Sequence, residues 1–344
     1  MDEINDYSGM QEDRREQTGA ARKHFSRLGG MFIIGTIVIY AVQLIPITLV
    51  KLFKPEWMAD GNIALMVSIL PMYLIGMPVL ILLVKTIPAE TVERHPMKAG
   101  HFILSAIMCF AIVYISNIVG NIFTVIIGIL KGGAVQNQVM AVTESVSMWT
   151  IVLYMVICAP IMEEYIFRKL IVDRTVRYGQ GVAVVVSGLM FGLFHGNLNQ
   201  FVYAFVLGVF LAFLYVKTGN LKITIALHML INFVGGVISS GLMRIIDLEE
   251  LQRYALMGTK DMMVFIQSNM AGLAAYMLFL FFVVGMMLGG GILLIVCLAK
   301  KKFIFEKGRV VIPVGQRFRT VIVNVGMMIY VIFWIVMIIL QLFM

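Results

Sequence analysis

Residues 159–169, APIMEEYIFRK, set Glu163, Glu164 and Arg168 inside a stretch that otherwise reads as a membrane-spanning helix. A charge at the centre of a spanning helix costs about 2.5–3.5 kcal/mol on insertion scales, so charges retained there point to function. Successive helical residues point about 100° apart, so the two glutamates are expected to face different surroundings. Glu164 and Arg168 stand at i and i+4 and can neutralise each other on one face. Glu163 is then left without a local partner. It is the carboxylate expected to carry chemistry.

The sequence on either side decides the fold class. Of 344 residues, 60% are hydrophobic and 13% charged, and the mean hydropathy is +0.95. Apolar runs long enough to cross a bilayer recur along nearly the whole chain, which predicts an all-α, polytopic transmembrane bundle. The net charge of +8 collects in loops, as expected for cytoplasmic segments of a multi-pass protein in the cell membrane, and it does not read as nucleic-acid binding. Cys109, Cys158 and Cys297 fall in apolar runs without disulfide or metal-ligand spacing. Residues 1–30 lack the apolar core of a cleavable signal, so the first span is expected to act as its own insertion signal.

The pattern divides the chain into a polar cytoplasmic tail (1–30), N-terminal spans (31–147), a core (148–241), an extracytoplasmic amphipathic segment (242–269) and C-terminal spans around a basic loop (270–344). Spans are predicted over 31–52, 63–84, 101–130, 148 onward, 182–198, 201–216, 223–240, 270–298 and 321–343, giving eight or nine in all. Lys and Arg cluster in the tail, 85–100, 170–181, 217–222 and 300–320, which places the N-terminus in the cytoplasm. The links 131–147 and 196–200 are then outside.

His24, His95 and His101 are expected at solvated surfaces, whereas His195 and His228 lie in apolar spans. His228 and Asn232 are four apart and share a helix face. Spans 4, 5 and 7 therefore each carry polar groups that lipid would not tolerate, and one interior cavity could satisfy them all. Such a cavity suits hydrolysis. Glu163 would be general base on a water, one histidine would position that water, and His228 with Asn232 would stabilise an oxyanion. The same residues suit a proton or ion pathway, or simple cross-links between helices. His195 lies about 20 Å along its span, so the groups meet only if that span is short, tilted or recessed.

EEYIFR (163–168) resembles the EExxxR motif of the CPBP family, the CAAX prenyl endopeptidases and bacteriocin-processing or Abi proteins. FGLFH (191–195) is similar to the family's FxxxH, and HMLIN (228–232) to its HxxxN/D. The three motifs occur in the family's order within 148–241. The resemblance implies an intramembrane endopeptidase with a cavity open to the cytosol. Glu163 would activate water with help from His195. His228 and Asn232 would form the oxyanion hole, and Glu164, Arg168 and Phe191 would support the site. The substrate would be a membrane-associated protein or peptide, including a lipidated one. Both a metalloprotease mechanism, with Zn2+ on Glu163, His195 and His228, and a metal-free glutamate mechanism have been argued for the family; no HExxH occurs here. A non-catalytic scaffold or bacteriocin-immunity protein could use the same cavity. A transporter would show inverted repeats, and none is seen. Nine spans are one more than the resemblance implies, and 243–269 has no counterpart in it.

Overall fold

Apolar length sets most of the architecture. The computed structural model describes residues 2–245 and 248–343, apart from the side chains of 2–14, 248–249 and 257. Met1, Ile246, Asp247 and Met344, which fall in the expected tail, amphipathic segment and C-terminal region, lie outside the described residues. Among the described residues, eight helices are long and apolar enough to cross a membrane. These are α1 (Arg15–Phe53), α2 (Gly61–Lys85), α3 (Ala99–Lys131), α4 (Met148–Tyr178), α6 (Leu198–Thr218), α7 (Leu221–Ile245), α10 (Met270–Ala299) and α11 (Val325–Phe343). The ninth expected span is the shorter helix α5 (Gln180–Phe194). Two short helices, α8 (Leu248–Met257) and α9 (Thr259–Ser268), pair before α10.

The α5–α6 pair is a hairpin whose tip packs against α3. One end of the bundle is tied together by backbone hydrogen bonds Glu90 to Asp173, His95 to Thr218, Gln180 to Glu306 and Val310 to Arg177. The opposite end is tied by Ser147 to Asn62, Lys131 to Leu342 and Arg244 to Thr143. Helix α5 starts at the first end and α6 returns to it. At the tip, Asn199 donates its amide to Asn121 (3.1 Å) and Thr124 (3.5 Å) of α3, and Asn121 donates onward to Asn117 (2.9 Å). Helix α3 continues past Thr124 to Lys131, about 10 Å further. The 15 residues of α5 span about 22 Å, short of a hydrocarbon core of about 30 Å. The first end carries most of the Lys and Arg, which under the positive-inside rule is the cytoplasmic end.

Glycine lets the hairpin close. A Cβ on Gly188 would stand 2.8 Å from the Val209 nitrogen and 3.1 Å from the Phe205 carbonyl oxygen. Helix α1 departs from the expected solvated tail, because Ala21, Phe25, Leu28 and Phe32 are buried against the bundle. His24, expected at a solvated surface, is half-buried edge-on to Tyr178, with ring centroids 5.2 Å apart.

Candidate active site

Helix α4 runs unbroken through the charged stretch, but it is not regular. Two π-helical segments, Ile151–Cys158 and Tyr165–Val172, flank the ordinary helix Ala159–Glu164. Pro160 bears on the first of them. The Ala159 N–H bonds to the Tyr154 carbonyl five residues back, so the next carbonyl, Met155, would need the missing N–H of Pro160. Asn232 supplies the donor instead, its side-chain amide reaching the Met155 carbonyl at 2.8 Å. The expected His228–Asn232 pairing as two oxyanion donors is therefore modified, since one amide N–H of Asn232 is spent joining α7 to α4.

This tie makes a prediction. Asn232→Leu should cost about 1–2 kcal/mol of stability by leaving the Met155 carbonyl without its donor. Adding Pro160→Ala restores a backbone donor at that point and should recover most of the loss. Unfolding of the two variants in micelles measures both numbers, and purely additive effects would refute the tie.

Glu164 and Arg168 are fully buried, and Arg168 Nε donates to Glu164 Oε2 at 3.0 Å. Arg168 Nη1 donates to Ser187 Oγ on α5 (3.1 Å), and that hydroxyl donates to the Phe167 carbonyl (2.7 Å). Ser187 was not singled out from sequence; its only signal is a hydroxyl within an apolar run. His228 Nδ1 lies 3.0 Å from Glu164 Oε1. A carboxylate paired with arginine can only accept, so Nδ1 carries the proton and Nε2 faces the other way. There it meets Glu163 Oε2 at 3.7 Å, too far for a hydrogen bond and a spacing that a bridging water fits. The two glutamates, expected to face different surroundings, are nonetheless linked through one residue here. One imidazole, with a nitrogen on each edge, lies between them.

The side chain of Glu163 is 18% exposed, whereas that of Glu164 is 0%. Glu163 is thus partly exposed, and Glu164 is not. His195 caps α5 in the hairpin turn rather than lying within a span, and Gly196 follows it at φ +64°. Its Nδ1 donates to the Phe191 carbonyl at 2.9 Å, which leaves Nε2 as the imidazole's acceptor. Phe191 links the groups. Its ring is edge-on to His195 (4.8 Å between centroids) and to His228 (5.8 Å), and the Arg168 guanidinium lies over it at 4.5 Å. The short, recessed hairpin brings His195 to the same aromatic ring as His228.

Among the described residues no three His, Cys, Asp or Glu side chains stand close enough to hold a metal ion. Glu163, His195 and His228 therefore do not fit Zn2+ as a three-ligand set as they stand, and no step below passes through a metal.

Residues 145–234 match the model of the Rce1-like family, type II CAAX prenyl endopeptidases. Over these residues the chain is similar to that family. The matched stretch holds all the site residues described above. Over 160 residues the chain is 31% identical to "Putative membrane peptidase YdiL" of Bacillus subtilis (strain 168), covering 45% of this chain and 64% of that protein. It is 27% identical over 212 residues to "Membrane-embedded CAAX protease MroQ" of Staphylococcus aureus (strain USA300), covering 57% of this chain and 84% of that one. The chain thus spans just under two thirds of the length of the Bacillus relative. No solved structure matches it. With eight apolar helices of spanning length and these relatives, it is a multi-pass protein of the cell membrane.

Proposed function

We propose that this chain is an intramembrane endopeptidase that cleaves a peptide bond in a membrane-associated protein or peptide. The observation that carries the reading is His228 held between a buried, arginine-paired Glu164 and a partly exposed Glu163. A water between Glu163 and His228 Nε2 gives up a proton to the Glu163 carboxylate as its oxygen attacks the scissile carbonyl. Glu164 keeps the Nδ1 proton in place, so Nε2 stays an acceptor for the second water hydrogen. The remaining amide N–H of Asn232 stabilises the oxyanion. Protonated Glu163 then returns its proton to the leaving nitrogen, and His195 assists at the hairpin tip. The names of the two relatives, a membrane peptidase and a CAAX protease, support hydrolysis of a membrane substrate, lipidated or not.

A binding role for the same cavity, as in a scaffold or immunity protein, predicts the opposite outcome in one comparison. Membrane peptides and new protein termini are compared in cells carrying wild-type or Glu163→Gln protein at matched levels. Termini present only with the wild type identify a protease and its substrate. Identical termini, with the variant folded and inserted, refute the proposal.

A further inference from the structure

Between the end of α10 at Ala299 and the start of α11 at Val325, the chain lays a strap across the basic end of the bundle. It presents Lys300, Lys301 and Lys302 at one margin, Lys307 and Arg309 in the middle, and Arg317 and Arg319 at the other, all exposed. The single acid in this stretch, Glu306, is already engaged. Lys217 Nζ donates to it at 3.0 Å, and that bond holds its carboxyl below the usual carboxylate range. The strap is fixed to the bundle. Gln180 N–H donates to the Glu306 carbonyl (3.1 Å), Val310 N–H donates to the Arg177 carbonyl (3.0 Å), and Phe303 lies edge-on to Phe213 at 5.0 Å.

Exposed apolar side chains sit between the cations, namely Ile304, Val311, Val314 and Phe318. The outer cations stand next to the ends of spanning helices. Topology alone asks only for positive charge on this side. It does not ask for a fixed platform, or for apolar side chains interleaved with the cations.

We propose that the 300–319 strap is a docking surface for the headgroups of anionic phospholipids in the leaflet it faces. The cations would pair with phosphodiester charge while Ile304, Val314 and Phe318 enter the boundary between headgroups and acyl chains. Each juxtamembrane cation strengthens such binding by about fivefold, so the strap selects strongly against zwitterionic lipid. This surface is independent of proteolysis.

The test uses the full-length protein in neutral micelles, titrated with phosphatidylglycerol or phosphatidylcholine, with retained lipid read by native mass spectrometry. Wild-type protein is expected to retain phosphatidylglycerol at least about tenfold better. The combined Lys300→Gln, Lys301→Gln, Lys302→Gln variant should lose about tenfold or more of that preference. The corresponding Lys→Arg triple, equal in charge, should keep it, as should Lys51→Gln with Lys54→Gln at the opposite end. The proposal is overturned if wild type shows no preference or if the Gln triple keeps it. It is also overturned if the Lys51 and Lys54 variant loses as much, because net charge and not the strap would then be the cause.

Discussion

Glu163→Gln is expected to lower cleavage by about 10²–10⁴-fold, the range of a general base, while leaving the fold intact. The reason for the clean split is positional. Glu163 accepts no hydrogen bond from His228, since the two stand 3.7 Å apart, and its side chain is partly exposed. Glutamine has the same shape and can remain there at little cost, but it cannot take a proton from water at neutral pH. Glu164→Gln should behave differently. It removes the charge opposite the fully buried Arg168 and weakens the hold on His228 Nδ1, so stability and activity fall together. Turnover of reconstituted protein, read beside its unfolding midpoint, separates the two cases. If the Glu163 and Glu164 variants lose activity and stability in the same proportion, Glu163 is a structural residue.

The parts legible in the sequence are those that depend on local spacing. The apolar runs gave the helical bundle, and the i,i+4 spacing of Glu164 and Arg168 gave their ion pair, now seen at 3.0 Å. One local signal was passed over. Ala21, Phe25, Leu28 and Phe32 recur at helical spacing through the basic tail and mark its buried face. The remainder depends on packing between distant segments. His228 lies between the two glutamates because α7 packs on α4, which no spacing within 163–168 reveals. Pro160 was visible, but the acceptor it orphans is capped by Asn232, 77 residues from Met155. The packing of the α5–α6 tip on α3 was equally hidden, because the amide chain from Asn199 to Asn121 joins residues 78 apart.

The second large effect is expected at Arg168→Met. Arg168 and Glu164 are both fully buried, and the arginine also holds Ser187 and lies over Phe191. Methionine fills much of the same volume but leaves Glu164 as an uncompensated buried charge, a loss of about 3–5 kcal/mol. That is a large share of a typical stability of about 5–15 kcal/mol, so the variant should accumulate poorly or unfold at a much lower temperature. The penalty belongs to the stranded carboxylate and not to the lost arginine. Adding Glu164→Gln removes that charge and still offers a carbonyl oxygen to His228 Nδ1–H. The double variant should therefore be more stable than Arg168→Met alone, a reversal that two independent losses cannot produce. Its activity should nonetheless stay low, because a neutral amide holds the His228 Nδ1 proton less firmly than a carboxylate and so makes Nε2 a weaker acceptor for the water. Unfolding midpoints of the two single variants and the double variant, taken in the same detergent, decide the matter. A double variant no more stable than Arg168→Met would mean that arginine packing, not charge balance, holds α4 and α5 together.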